Sequence, residues 1–307
     1  MSRTSANLIL LLAGAIWGMG FIAQQTAMDD IGPILFVALR FLIAGLAVLP
    51  IAYFELKKSG ELKNFNRVRT HSKGFLIVGL MFFLGMVIQQ IGLLETTVTN
   101  TAFLTALYVV FVPIFMIVIF RIPQPFIIWP TAILALAGIY LLSGGDLNVL
   151  TSGDRLIILC AVFWAGHVIF TGKYSAASGL PVTLATMQFF ITAILAFVCY
   201  LLAVTIGYSQ IPSLGQLIGA TPELLYAGII AGGLGFTLQA IGQRYTSEST
   251  AAILISTESL FAAVLGAAFL GERLALTGYI GCAVIFSAIL IVQLVPAKSA
   301  KDLKQTP

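Results

Sequence analysis

Three ionisable side chains stand inside long apolar stretches of this 307-residue chain: Arg40, His167 and Glu258. A charge in hydrocarbon is expensive, so such residues usually face a bundle interior, a hydrated cavity or a proton path. Glu258, in Ile255-Ser256-Thr257-Glu258-Ser259, lies nine residues into its apolar run, which is about 13 Å along a helix. It is suited to attract a cation, or to take up a proton when desolvated and release it when hydrated. Arg40 follows Pro33 by seven residues. Pairing it with Glu258 would lower the cost of both charges; snorkelling toward Asp29 or Asp30 would instead leave Glu258 free to protonate. His167, one turn from Trp164, is the residue type that changes charge near neutrality and could share that proton or meet a substrate.

Neutral polar groups accompany the charges. Gln89, Asn100, Tyr108 and Gln239 offer donors and acceptors suited to a polar organic solute, and Trp17 and Trp164 could cap a cavity or fill the bundle. Thr97, Thr101, Thr105 and Tyr108 are spaced to share one helical face, although threonine hydroxyls can also bond their own backbone. No HExxH, P-loop, GxSxG or catalytic zinc spacing occurs, so neither an enzyme nor direct ATP use is expected, and no cofactor or metal is called for. Cys160, Cys199 and Cys282 lie in apolar segments without a CxxC pairing and read as small buried hydrophobes.

The elements that carry these residues must be transmembrane helices. The chain is 59% hydrophobic and 9% charged, against roughly 25% charge in a soluble domain. Apolar segments fall at 7 to 27, 33 to 54, 74 to 94, 98 to 120, 125 to 143, 155 to 173, 181 to 206, 223 to 242, 249 to 270 and 275 to 295, the fifth and sixth being the shortest. Most approach the roughly 20 helical residues that cross a bilayer. Lipid leaves no backbone group unpaired, and the alternating pattern of barrel strands is missing. Arg3 ahead of an apolar run resembles a signal peptide, but many similar segments follow and the run reads as a retained first helix.

Of the sixteen lysines and arginines, thirteen fall on one side if the amino terminus is cytoplasmic; Arg155 and Arg273 fall on the other, and Arg40 is internal. This bias places both termini in the cytoplasm and accounts for the basic balance without nucleic-acid binding. The chain also repeats: Trp17 returns as Trp164, Pro33 as Pro181, Arg40 as Gln188, Gln89-x-Ile91-Gly92 as Gln239-x-Ile241-Gly242 and Tyr108 as Glu258, at offsets of 147 to 150. Five helices per copy make the second copy enter from the opposite side. The expectation is an all-α polytopic fold of ten transmembrane helices in two inverted five-helix repeats, 1–147 and 148–307, the second with a cytoplasmic tail. Glycines within the spans permit close helix approach. Pro113 predicts a kink in the fourth helix that its counterpart, Ala263, would not reproduce.

The chain resembles the EamA-type members of the drug/metabolite transporter superfamily. The resemblance rests on Ala15-Ile16-Trp17-Gly18-Met19-Gly20-Phe21, Gly32-Pro33 with Leu39-Arg40-Phe41, Ala102-Phe103-Leu104, Thr250-Ala251-Ala252-Ile253-Leu254 and Leu270-Gly271-Glu272-Arg273-Leu274. It implies a ten-helix carrier of the bacterial inner membrane that exports amino acids or other small metabolites. The implied central cavity has Trp17, Gln89, Asn100, Tyr108, Trp164, His167, Gln239 and Glu258 in its walls. Glu272 matches the family's acidic residue at the end of the ninth helix, whereas the end of the fourth reads Phe120-Arg121-Ile122.

The expected function is therefore secondary export of a small polar or zwitterionic metabolite, amino acids first, by alternating access. Glu258 and His167 would recognise charge, with Glu258, His167 and Arg40 as the proton-coupling or charge network. The expected partners are a small-molecule substrate, the lipid bilayer and a proton as counter-ion, with no nucleic acid and no required oligomer. Proton-coupled efflux of cationic drugs, with Trp17 stacking on the cation, and a non-transport membrane receptor or assembly subunit are the alternatives.

Overall fold

The computed structural model describes residues 1–18, 20–96, 98–142, 151–261 and 275–294, and every regular element among them is helical. In chain order these are α1 (Arg3–Gly18), α2 (Gly20–Ile31), α3 (Pro33–Lys58), α4 (Asn66–Gly92), α5 (Val98–Thr105), α6 (Tyr108–Val118), α7 (Ile128–Leu142), α8 (Ser152–Ser178), α9 (Pro181–Thr205), α10 (Leu214–Gly219) and α11 (Thr221–Leu225). A π-helical segment, Tyr226–Gly235, then leads into α12 (Phe236–Gln243), α13 (Glu248–Ile255) and α14 (Leu276–Leu294). Six described helices are long and apolar enough to cross a membrane, and Ile128–Leu141 and Leu276–Ile291 are shorter apolar ones. Leucine, isoleucine and aromatic side chains on α3 and α9, among them Leu42, Leu46, Leu49, Ile194, Phe197 and Leu201, point outward where a soluble protein would carry charge. The protein is a multi-pass membrane protein.

The most extensive helix pairings are α3 with α9, α4 with α8, and α7 with α14. Each joins an element from the first half of the chain to one from the second, so the halves fold into one another. Contacts between connections tie the helix ends: Arg244 donates to the Gly179 carbonyl (3.3 Å), and within the α3–α4 connection Arg67 bonds Glu61 (3.0 Å). The Glu55 carboxylate accepts from the Val182 and Thr183 amides (3.1 and 2.7 Å), satisfying free N–H groups at the start of α9. At the opposite end Thr96 and Asn100 donate to Asp154, and Ser152 bonds Glu95.

Several segments differ from their hydropathy boundaries. The sixth, predicted as one of the shortest, is the 27-residue α8. Thr151 and Asp154 form a reciprocal capping box at its start, and Lys173 lies over the Phe120 and Tyr174 rings near its end (5.7 and 5.6 Å). The hydropathy signal stops at these charges, whereas a snorkelling lysine lets the helix continue to Gly179, left-handed at φ 69°. The fourth segment is interrupted six residues before Pro113, at Ala106–Leu107, between α5 and α6. The ninth is interrupted at Ser256–Thr257, before helix resumes at Glu258. The second interruption has no proline, so proline is not the shared cause. Both are tightened turns. Leu107 N–H reaches the Leu104 carbonyl (3.2 Å) and Thr257 N–H the Leu254 carbonyl (3.4 Å), the i to i+3 pattern of a 3₁₀ turn. At the second, the Ser256 and Thr257 hydroxyls donate to the Ile253 and Leu254 carbonyls (2.9 and 2.7 Å) and compete with the helical ladder. Ala263 and Glu272 lie outside the described residues.

Candidate functional site

Both helix interruptions open onto one cavity of about 540 Å³, part of it continuous with the exterior. Trp17, Gly20 and Gln24 come from α1 and α2, Arg40 from α3, and Met86 and Gln89 from α4. Thr105 and Tyr108 flank the first interruption; Ile255 and Glu258 flank the second. Trp164 and Val168 from α8 and Ala231, Phe236 and Gln239 from the π segment and α12 complete the wall. The cavity is displaced toward the end of the bundle opposite the Lys57 to Arg67 loop: Arg40 lies seven residues into α3, and Gln89 three residues from the end of α4. On its other side Phe41, Phe82, Phe189 and Phe236 form an aromatic layer, with Phe41 and Phe236 4.8 and 4.6 Å from the Phe82 centroid.

The two indoles are held in matching ways. A Cβ on Gly235 would approach Trp17 Nε1 to 2.6 Å, and one on Gly85 would approach the Trp164 ring to 3.3 Å. Each tryptophan therefore rests against a glycine of the other half of the chain, where a side chain would push the ring away. Their polar tips differ. Trp17 Nε1 donates to the Ala231 carbonyl of the π segment (2.8 Å); Trp164 Nε1 is buried with no partner. The Trp164 ring also stacks parallel to Phe236, 5.8 Å between centroids.

Among the described residues neither Arg40 nor Glu258 forms an ion pair. Arg40 is 2% exposed; its Nε and Nη1 lack any hydrogen-bond partner, and the Phe41 and Phe36 rings lie 4.7 and 5.3 Å from its guanidinium. Glu258 is 6% exposed. The one ion pair formed among the described residues is Arg67 with Glu61, so the Arg40–Glu258 pairing anticipated from the sequence is not formed. Each charge borders the cavity instead, and Arg40 forms no ion pair with Asp30. Gln89 donates to the Thr105 hydroxyl (3.1 Å), while Gln239 Oε1 is buried and unpartnered.

Seven of the nine predicted site residues thus meet at the cavity, Trp17, Arg40, Gln89, Tyr108, Trp164, Gln239 and Glu258, with Thr105 of the threonine face beside them. Two stand elsewhere. Asn100 is eight residues from Tyr108, about 12 Å along a helix, and donates to Asp154 (3.4 Å) at the end of the bundle toward which the cavity is displaced, outside its lining. His167 is fully buried behind the aromatic wall, 5.0 Å from the Phe82 centroid and 5.5 Å from Trp164. Its Nε2 bonds Gln188 Oε1 (2.9 Å) and lies 3.2 Å from the Thr171 hydroxyl. Sequence reasoning overlooked Gln24, an intramembrane amide whose polarity was a usable signal, and Met86 and Phe236, which resemble ordinary core residues until the fold exposes them.

A model of the EamA-like transporter family matches residues 4–144 and again 151–294. The chain belongs to the EamA-like transporter family. An uncharacterised transporter of Archaeoglobus fulgidus is 32% identical over 295 residues, covering 96% of this chain and 87% of the relative. The uncharacterised transporter YwfM of Bacillus subtilis is 26% identical, covering 95% of both chains. One solved crystal structure shares the fold with a TM-score of 0.74 at 17% identity, covering 95% of this chain and 99% of the other. In this EamA-like transporter the cavity lies between the two matched segments and presents Arg40, Glu258 and several neutral polar groups within aromatic walls.

Proposed function

We propose that this EamA-like transporter is a secondary exporter of small polar or zwitterionic metabolites, amino acids first, working by alternating access between inverted repeats. The observation that carries this reading is one cavity bordered by both Arg40 and Glu258, neither of which has an ion-pair partner among the described residues. A zwitterion meets both charges without adding net charge to the membrane interior, where an uncompensated ion is costly. The indoles, Phe236, Gln89 and Gln239 then select by shape and hydrogen bonding.

The basic bias supports an inner-membrane location with cytoplasmic termini. In that orientation the cavity faces outward and the Phe41, Phe82, Phe189 and Phe236 layer is the cytoplasmic closure. Glu258 is the candidate proton site, since no arginine among the described residues holds its carboxylate. His167 would act only from behind Trp164, and Asn100 through the Asp154 end of the bundle. Cationic-drug efflux is the second reading. Glu258 and Trp17 favour it, but Arg40 in the same cavity opposes a cation by like-charge repulsion.

Flux in reconstituted vesicles, with an amino-acid panel and cationic dyes and with or without an imposed pH gradient, tests the proposal. Amino acids should move and respond to the gradient. Movement of dyes alone would select the second reading, and movement of no compound would sink transport of this class.

A further inference from the structure

We propose that Arg40 is the carboxylate receptor of this transporter, with Glu258 receiving the ammonium group, so that the substrate class is the α-amino acid itself rather than small cations or amines. The inference rests on the transport reading and specifies its site. Arg40 is buried, borders the cavity, and leaves Nε and Nη1 without partners. Burying a guanidinium whose planar fork meets no carboxylate is a standing cost. A structural arginine would have its hydrogen bonds made; a receptor has them made by its ligand. Phe41 and Phe36 hold the guanidinium over their faces, fixing its plane without consuming its donors. A carboxylate is the group that this fork matches in a bidentate manner.

The two matched segments point to the same division. At the position equivalent to Arg40 the second segment has Gln188, and at the position equivalent to Glu258 the first has Tyr108. Gln188 spends its carbonyl on His167 (2.9 Å) and stays within the core. Each segment therefore contributes one charge of opposite sign to a cavity whose other paired members, Trp17 with Trp164 and Gln89 with Gln239, are unchanged in type. A monoanion would leave Glu258 uncompensated and a monocation would leave Arg40 so; an α-amino acid compensates both.

The test measures ligand-induced thermal stabilisation of the purified full-length protein, using each common neutral L-amino acid and its carboxamide. Wild type is compared with Arg40→Gln, the residue of the equivalent position, and Arg40→Lys. Wild type should bind the best amino acid about 100-fold more tightly than its carboxamide. Arg40→Gln should lose about 100-fold on the acid and bind the cationic carboxamide at least as tightly as wild type does, while the ligand-free variant melts no lower than wild type. If Arg40→Gln does not fold, Arg40→Lys keeps the charge without the fork and should weaken the acid alone, by about 10-fold. Equal binding of acid and carboxamide by wild type, equal losses on both in either variant, or binding of neither ligand would overturn the assignment. Transport would still stand in those cases if amino acids or dyes move in vesicles, so the two failures are distinguishable.

Discussion

The two segments that match the family model carry the same cavity furniture with different charge. Trp17 and Trp164 each lie on a glycine of the other segment, and both helix interruptions fall directly before a cavity residue, Tyr108 in one and Glu258 in the other. The features common to the two matched segments thus set the shape of the site, and the positions at which they differ, Arg40 against Gln188 and Glu258 against Tyr108, its charge. A second contrast lies in the helices that bear those glycines. The stretch around Gly85 is ordinary α-helix within α4, whereas the stretch ending at Gly235 is π-helical and gives the Ala231 carbonyl to Trp17. A π segment at a functional site is a recurrent place for helix register to change, and here it is tied to one indole and not the other.

Restoring symmetry should have the largest effect. Glu258→Tyr, which copies Tyr108, should lower the initial rate of amino-acid flux by about 100-fold or more, as expected when a buried charge contact is lost. Glu258→Gln should in addition flatten the dependence of flux on an imposed pH gradient. Retention of the wild-type rate and gradient response would remove Glu258 from the mechanism.

The glycines should differ next. Gly235→Ala places a Cβ 2.6 Å from Trp17 Nε1, whereas Gly85→Ala places one 3.3 Å from the Trp164 ring, which needs to give by only a few tenths of an ångström. The first should destabilise by about 1 to 3 kcal/mol, as overpacking does, and the second by less than about 1 kcal/mol. Melting curves of the two variants in one detergent would reverse this order if the π segment yields freely.

A smaller difference is expected at the indoles. Trp17→Phe strips the Ala231 carbonyl of its donor, and Trp164→Phe removes an N–H that has no partner. The former should cost about 1 kcal/mol more in stability, and the latter should be felt mainly in substrate affinity. The smallest effect belongs to His167→Gln. Because His167 stands behind the aromatic wall, the pH profile of flux should overlay that of wild type, and a displaced profile would bring the histidine back into proton transfer.

The membrane class, the depth of Glu258 and Arg40, and the paired positions of tryptophan and glutamine were legible because charge and amide groups are conspicuous in apolar sequence. The cavity's outer limits were not. Asn100 and His167 looked equivalent to the true lining residues by residue type, but the Asp154 carboxylate captures one and Gln188 engages the other; such partners lie 54 and 21 residues away and leave no local trace. The sequence pointed to a kink at Pro113 but not to the interruption before Tyr108, which arises from local 3₁₀ bonding also found in the ninth segment, where no proline stands. The π segment reads in sequence as one more glycine-rich span, because hydropathy reports burial and not the hydrogen-bond register within a helix.

Counterflow in vesicles containing only the purified wild-type protein is the most direct measurement of the central claim. A neutral amino acid, its carboxamide and its deaminated acid would each be offered at equal concentration. The account predicts exchange of the amino acid alone, since Arg40 and Glu258 must both be answered by one solute. Exchange of the carboxamide or the deaminated acid at the same rate as the amino acid would contradict it.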